Sequence, residues 1–514
     1  MASPSGETRP LLADRSGHDE EVVEAQDEQQ RGSFSRNLGT AEAFAIVISI
    51  VIGSGIFTSP GSIDTNVPSP GAGLVVWLVG GLLAWTGAAT MAELGTAIPG
   101  EGGVQPYLRY IYGDLAGFLA AWTWIVAVMP ATLSTLSIVF VESIYSAAGV
   151  TDQAHRIEHK LLSVLILVVV GVANSISTKA STRLNGFFVV TKFLAIGAVV
   201  VAGIAVVIIH ATRKREGGEV VGGGDWATKP WFGNRHTVNP DGSVTDWVSL
   251  STWELLGHYS TALYGALWAY SGWDKAIYVS SELRSPAKQL PLAINSAVPT
   301  IVLCFILANT AYYILLPWNV VSTTDSVAVT AITRLLGRGF GIVAAILICL
   351  VVAGSLLGNS FVASRMAVAA ANRGWFPRSF AVLGRIGLER KQTQEESETA
   401  GKGSDAPVNA ILLSTVLTTL YILLGNFRAL LTFNGLGEFS FFFLAVAGAV
   451  ALRFREPALH RPYKPPVLAP VVFALLSGFV VIRGAIFAWV PAAVLVALWV
   501  LGGVVYWAFA RKMV

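Results

Sequence analysis

Long apolar segments recur along most of this chain and are separated by short polar loops. Each segment reaches the length of about 18 residues or more that a helix needs to cross the hydrocarbon core of a bilayer. The pattern therefore predicts an all-α polytopic membrane protein with about 12 transmembrane helices. The predicted spans lie near residues 41–65, 72–98, 114–148, 161–178, 184–210, 254–283, 292–317, 338–371, 407–425, 429–452, 467–487 and 489–511. The alternative is eleven spans, with the last two merged.

The composition supports this interpretation. The 514 residues are 54% hydrophobic and only 13% charged, whereas roughly 25% of the residues of a soluble domain are charged. A soluble globular protein is thereby excluded. Both cysteines, Cys304 and Cys349, fall inside apolar segments. We therefore expect no disulfide in an extramembrane loop, either within the chain or to a partner.

The chain divides into a tail and one membrane domain. Residues 1–40 are acidic, polar and almost free of aromatic side chains, so we predict a disordered tail. Within it, Glu7–Leu12 fits an acidic-dileucine sorting signal for an adaptor, or a chance match. Residues 41–511 form the predicted membrane domain, and the segment 391–406 is a predicted flexible cytoplasmic linker.

The positive charges of the short loops set the expected orientation. Lys and Arg collect in every second loop, while opposite loops such as 62–73 contain none. Because positively charged short loops stay in the cytoplasm, both termini are predicted to be cytoplasmic. The long segment 211–253 is then an extracytoplasmic loop, whose few basic residues weigh less because of its length.

The first span is interrupted by small residues. Residues 51–60 read VIGSGIFTSP, and Gly53, Ser54 and Gly55 fall near the middle of the span. Glycine costs about 1 kcal/mol in a helix interior relative to alanine. Unwound backbone at membrane depth is tolerated only where it is buried in protein or lines a polar cavity. A helix that restarts after the break presents free N–H groups that suit an anion such as a carboxylate.

The sixth span carries a comparable interruption. Ser271 and Gly272 lie in the stretch ALWAYSGWD and are followed by Asp274, a charged residue at membrane depth. Breaks at equivalent positions of two repeats point to the binding site of a transporter. The implied halves are spans one to five and six to ten, followed by two further spans. Their ranges are about 41–210, 254–452 and 467–511. The alternative is that these small residues only pack helices together.

Several motifs together resemble the amino acid–polyamine–organocation (APC) superfamily, and within it the L-type amino acid transporters. The chain looks most like a fungal methionine-permease-type member. The resemblance covers most of 40–511. The motifs are GSGIF at 53–57, AELGTAIP at 92–99, AYSGWD at 269–274, SELRSPAKQLP at 281–291, SRMAVAAANRGWFP at 364–377 and REPALHRPYKPP at 455–466. It implies a five-plus-five inverted repeat, the LeuT-like APC fold, with unwound helices 1 and 6 and transport by alternating access.

The resemblance also implies roles for individual residues. The N–H groups of Gly53, Ser54 and Gly55 look like receptors for the α-carboxylate of an amino acid. The carbonyls of Val51 and of the stretch Trp268–Ser271 look like acceptors for its α-ammonium. Trp268 stands where relatives carry an aromatic gate, although an ordinary packing role is the alternative. The predicted side-chain pocket contains three further residues: Asp274, Asn359 and Phe439.

Lys192 lies in the apolar stretch VVTKFLAIGAVV of span five. An ammonium at membrane depth is costly and marks a functional site by default. The resemblance implies that Lys192 replaces a sodium ion and braces the first and eighth spans, which indicates sodium-independent transport. The alternatives are proton coupling through the lysine and snorkelling to the inner interface.

Asp274 departs from the pattern of many relatives, which carry asparagine there. An acid at this position would widen acceptance toward cationic substrates or carry a proton. Near the predicted cytoplasmic ends, charged residues would form either an inner gate or ordinary ion pairs. These are Glu93, Arg109, Glu282 and Arg365.

The function predicted from the sequence is sodium-independent transport of neutral L-amino acids, with large apolar ones such as methionine or leucine preferred. The mode would be exchange or proton-linked uptake. The alternatives are a cationic amino acid or polyamine transporter that uses Asp274, an amino acid receptor derived from a transporter, and a channel. No enzyme motif is present, so we expect no catalytic residue, cofactor or bound metal.

The sequence also bears on the partners of the protein and on the membrane that holds it. The predicted loop between spans three and four lacks the cysteine through which related animal proteins bind a glycosylated heavy chain, so no disulfide-linked partner is expected. Nucleic acid is not an expected partner either, and membrane lipid surrounds the domain. The plasma membrane is the expected location, and a vacuolar or endosomal membrane is the alternative.

Overall fold

The computed structural model describes residues 38–98, 100–147, 156–176, 178–215, 221–324, 327–383, 406–425, 427–487 and 489–508. The sorting signal Glu7–Leu12, the tail 1–37 and all but the last residue of the linker 391–406 lie outside the described residues. The predictions for these segments therefore stay predictions.

The described chain is almost entirely helical. In chain order the α-helices are α1 Thr40–Val51, α2 Gly55–Asp64, α3 Pro70–Ala97, α4 Val104–Tyr112, α5 Asp114–Thr123, α6 Met129–Ala147, α7 Ile157–Ile176, α8 Thr178–Arg215, α9 Asp225–Thr228, α10 Thr252–Ala269, α11 Pro286–Leu315, α12 Trp318–Thr323, α13 Val327–Leu336, α14 Arg338–Asn372, α15 Val408–Leu424, α16 Phe427–Arg455, α17 Leu468–Phe487 and α18 Trp489–Ala508. A π-helical turn, Trp124–Val128, joins α5 to α6, and 3₁₀ turns occupy Lys275–Glu282 and Arg378–Ala381.

These helices correspond to the predicted membrane spans. Among the described residues, nine helices are long and apolar enough to cross a membrane, and the pair α1 and α2, bent by 45°, makes a tenth. Of the two remaining predicted spans, α15 is a shorter apolar helix of 17 residues, and α10, with 18 residues, ends at the second break. The expectation of an all-helical polytopic membrane protein is confirmed.

The spans pack in two groups that reflect the five-plus-five repeat. Spans one, two, six and seven, formed by α1 with α2, α3, α10 and α11, contact one another. Spans three, four, eight and nine, formed by α6, α7, α14 and α15, make a second mutually packed group. Each group contains pairs of spans that lie five apart in the chain. Span five, α8, packs against members of both groups.

The only strands among the described residues lie in the loop 211–253. β1 (His236–Val238) and β2 (Val244–Asp246) form a two-stranded antiparallel hairpin. This hairpin is too short to carry a hydropathy pattern, and it lies outside the membrane-spanning helices. The same loop contributes Arg235, which pairs at 2.6 Å with the buried Asp64 at the end of α2.

The outer surface of the bundle is apolar. Large side chains such as Leu161, Leu194, Ile346 and Leu475 are more than half exposed along the helices. In a soluble protein such continuous apolar faces would be an aggregation hazard. Here they are the faces that contact lipid, and the polar groups of the backbone are satisfied within the helices.

Candidate functional site

The first break is a tight turn at Ile52. Its backbone dihedrals are φ −75° and ψ 82°, and the N–H of Gly53 donates to the Val51 carbonyl at 2.8 Å. These values define an inverse γ-turn. The chain then restarts as α2, where the N–H groups of Phe57 and Thr58 donate back to Ser54.

The restart leaves N–H groups without acceptors. Within the described part of the chain, no hydrogen bond is made by the N–H groups of Ser54, Gly55 or Ile56. They form the positive end of a buried half-helix, which is a natural site for an anion. The sequence predicts the N–H groups of Gly53, Ser54 and Gly55 as the receptors of a carboxylate. Because the Gly53 N–H already donates to the Val51 carbonyl, the free N–H groups in this conformation are those of Ser54, Gly55 and Ile56.

The second break begins where α10 ends at Ala269. Tyr270 continues the turn, Ser271 donates its N–H to the Trp268 carbonyl at 3.0 Å, and Gly272 adopts φ +101°. A side chain at Gly272 would be strained by this φ, which favours glycine. A 3₁₀ turn then replaces α-helix from Lys275 to Glu282. The predicted unwinding of spans one and six is confirmed.

The two breaks lie against each other. A Cβ atom added at Gly55 would lie 2.6 Å from the Cα of Ala269, and one added at Gly272 would lie 2.5 Å from the side chain of Ile50. Glycine is therefore needed at both positions for the close approach. The predicted acceptors of a ligand ammonium, the carbonyls of Val51 and of the stretch Trp268–Ser271, belong to these two breaks. The Val51 carbonyl accepts one internal hydrogen bond and retains a second lone pair. The Trp268 carbonyl accepts from the N–H groups of Tyr270 and Ser271.

Lys192 is fully buried between spans one, five and eight. Its ammonium donates to the carbonyls of Ser49 (2.6 Å) and Ile52, to that of Val351 (3.0 Å) and to the hydroxyl of Ser355 (2.9 Å). The side chain therefore points into the protein and does not snorkel to the inner interface. The hydroxyl of Ser355 also bonds the Ser49 carbonyl at 2.9 Å, which ties span eight to the first break.

A second buried charge cluster follows the sixth-span break. The ammonium of Lys275 lies 3.1 and 3.0 Å from the two carboxylate oxygens of Asp274 and 2.8 Å from Glu438 of span ten. The other oxygen of Glu438 accepts the Ser271 hydroxyl at 3.2 Å. Asp274 is therefore not an unpaired counter-charge, which weakens the alternative of a cationic substrate bound by this residue.

The other predicted site residues occupy different surroundings. Trp268 lies in the last turn of α10 and is partly exposed. Asn359 lies one turn beyond Ser355 and is buried. Its amide donates to the Ser355 carbonyl at 2.9 Å, whereas its own oxygen has no partner in the described part of the chain. The ring of Phe439 packs against Phe442 and Phe473, at the contact between spans ten and eleven. Their roles as gate and pocket stay predictions.

The predicted cytoplasmic ends carry buried ion pairs. Arg365 bonds Glu282 at 2.8 Å, linking span eight to the end of span six. Glu93 accepts a bond from Arg453 at 3.0 Å and faces Arg461 at 3.3 Å. The fourth predicted gate residue, Arg109, pairs with Asp114 at the surface, at 3.0 Å. In the described part of the chain, these residues take part in contacts at three different places.

The profile of the amino acid permease family matches residues 38–509, almost the whole membrane domain. The chain belongs to the amino acid permease family. It is thus an amino acid transporter of the APC type and not an enzyme.

Individual relatives are similar over most of their length. The human b(0,+)-type amino acid transporter 1 is 28% identical over 464 residues, which cover 90% of the permease and 85% of the relative. The human cystine/glutamate transporter is 29% identical over 453 residues, 88% and 81% of the two chains. The mouse Asc-type amino acid transporter 1 is 28% identical, over 88% and 77%.

Sequence reasoning missed Lys275 and Glu438. Both are charged residues inside predicted spans, and the rule that selected Asp274 and Lys192 applies equally to them. Glu438 in particular lies in the apolar run LGEFSFFFL. What the sequence could not supply was the pairing, since the two residues are 163 positions apart.

Proposed function

We propose that the permease is a sodium-independent secondary transporter of neutral L-amino acids that works by alternating access. The observation that carries this proposal is the placement of the Lys192 ammonium among oxygens of spans one and eight. A cluster of carbonyl and hydroxyl oxygens is the kind of ligand set that a hard cation such as sodium takes. A tethered ammonium that occupies it removes the need for a dissolved ion.

The two breaks provide complementary groups for a zwitterion. The free N–H groups of Ser54, Gly55 and Ile56 suit an α-carboxylate, and the carbonyls of Val51 and of the stretch Trp268–Ser271 suit an α-ammonium. The side chain of the substrate then sets specificity. Because the carboxylates of Asp274 and Glu438 are already satisfied, we propose apolar side chains such as those of methionine and leucine.

The names of the relatives support the amino acid part of this proposal. Three of them are named as amino acid or cystine/glutamate transporters. The preference for large neutral substrates is our own inference, as are the finer resemblance to fungal methionine permeases, the plasma-membrane location and the absence of a disulfide-linked heavy chain. Both cysteines are free and lie within spans seven and eight.

Counterflow in proteoliposomes tests the proposed substrate class. Vesicles loaded with unlabelled methionine, leucine, lysine or spermidine receive a trace of the same compound in labelled form. Methionine and leucine are expected to drive accumulation of their own label, and lysine and spermidine are not. Counterflow of lysine or spermidine alone would contradict the proposal. Binding of methionine without any counterflow would indicate a receptor.

A further inference from the structure

A buried charge cluster lies behind the second break. It consists of Asp274, Lys275 and Glu438, which we call the triad. All three side chains are buried, with no more than 4% of any of them exposed. The ammonium of Lys275 also lies 5.5 Å from the ring centre of Tyr278, a distance at which a cation is attracted by an aromatic face.

Every carboxylate oxygen of the triad already accepts a hydrogen bond. Lys275 donates to both oxygens of Asp274 and to one oxygen of Glu438. The remaining oxygen of Glu438 accepts the hydroxyl of Ser271. With all three groups ionised, two negative charges face one positive charge. A buried ionic cluster is tolerated when its members are paired and hydrogen-bonded in this way.

Ser271 connects the triad to the candidate site. Its side chain is partly exposed, whereas the three charges behind it are not. Ser271 belongs to the unwound stretch whose carbonyls were assigned to the ligand ammonium. The triad is therefore separated from the proposed ligand position by a single hydroxyl group.

We propose that Lys275 determines the specificity of the permease by excluding cationic side chains. The inference rests on the proposed function and deepens it. The ammonium of Lys275 fills the place that the ammonium of a cationic substrate side chain would take. The side-chain ammonium of a lysine-like ligand then finds no carboxylate oxygen of the triad without a hydrogen bond. The fixed positive charge of Lys275 also lies beside those oxygens and repels it. An unpaired charge at membrane depth is costly, whereas an apolar side chain meets no such penalty.

Substitution of Lys275 by methionine tests the inference. Lys275→Met keeps the length of the chain and removes its charge, so two buried carboxylates are left without a counter-ion. L-Lysine and L-norleucine are the probes, since they share a straight side chain and differ in its terminal ammonium. Binding is measured on purified protein in detergent. The affinity for lysine relative to norleucine is expected to rise roughly tenfold or more over wild type. The reason is that a buried carboxylate without a counter-ion favours a positively charged ligand.

A double variant is the matched control. Lys275→Met combined with Glu438→Gln restores the single net negative charge of the native triad. It is expected to return toward the preference of wild type for norleucine. Lys275→Arg keeps the cation and is expected to retain that preference as well.

Distinct outcomes separate this inference from the proposed function. If Lys275→Met binds norleucine as wild type does and gains nothing for lysine, the inference is overturned. If wild type binds none of norleucine, methionine and leucine, the proposed function fails instead.

Should Lys275→Met not fold, it is purified in ethylammonium chloride and, separately, in sodium chloride. Recovery in ethylammonium alone supports the inference, because a small organic cation then replaces the missing ammonium. Failure of both ethylammonium and the double variant to restore folding would show a packing role and overturn it.

Discussion

A single ammonium group, that of Lys192, joins three spans at the first break. It has four oxygen partners, three of them backbone carbonyls from spans one and eight. Carbonyls freed by unwinding are acceptors that no helix satisfies, so the lysine both stabilises the break and fixes its position against span eight. The residue that anchors the break is therefore also the residue proposed to make transport independent of sodium.

Removal of this ammonium is expected to impair transport more than folding. Lys192→Ala leaves buried acceptors unpaired, each at a cost of about 1–3 kcal/mol, and the break loses its anchor to span eight. A loss of about 1.4 kcal/mol, within the range for one unpaired acceptor, corresponds to a factor of ten. Methionine exchange is therefore expected to fall roughly tenfold or more per folded molecule. The measurement is exchange normalised to monodisperse protein on size exclusion.

The control for this variant lies on the same helix. A Cβ at Gly197 of α8 meets nothing within 4 Å, so Gly197→Ala is expected to exchange at the wild-type rate. Exchange by Lys192→Ala at the rate of the control would contradict the role assigned to Lys192.

At the scale of elements, the contact between the two broken spans depends on glycine. Gly55→Ala places a Cβ 2.6 Å from the backbone of Ala269, so spans one and six must separate. Overpacking of this kind costs about 1–3 kcal/mol, and it displaces the free N–H groups from the facing carbonyls. Methionine binding and exchange are both expected to be lost or strongly reduced.

Gly257→Ala is the matched substitution on span six. A Cβ at Gly257 meets nothing within 4 Å, and alanine favours a helix over glycine by about 1 kcal/mol. Binding by this variant is expected to equal that of wild type. Normal binding by both glycine variants would show that the two breaks do not form the ligand site.

The breaks could be predicted from the sequence because their cause is local. Gly-Ser-Gly and Ser-Gly weaken a helix wherever they occur, and the structure unwinds at both places. The partners of the charges could not be predicted in the same way. The contact between Lys275 and Glu438 depends on how spans six and ten pack, and the use of the Gly53 N–H depends on the turn adopted at Ile52.

At the scale of the whole molecule, the loop after span five is held to the end of span one. The buried carboxylate of Asp64 pairs with Arg235 of this loop at 2.6 Å and accepts the Tyr313 hydroxyl at 2.7 Å. Removal of one partner of a buried pair costs about 3–5 kcal/mol. Arg235→Ala is therefore expected to lower the melting temperature of the purified permease by several degrees, or more.

Two further variants test this pairing. Asp64→Asn combined with Arg235→Gln removes both charges and is expected to recover much of the lost stability. Lys229→Ala removes an exposed partner of Asp225 and is expected to change the melting temperature very little, since such pairs contribute about 0–1 kcal/mol. Equal effects of Arg235→Ala and Lys229→Ala would show that Asp64 does not need its partner.

In the proposed mechanism, this permease exchanges neutral amino acids with a tethered ammonium in place of a sodium ion. The most direct test is the initial rate of methionine exchange in proteoliposomes, with sodium on both sides replaced by choline. The same rate is expected in both salts, because the oxygens of spans one and eight are already bonded to Lys192. An exchange rate that falls to background in choline, and returns when sodium is restored, would contradict it.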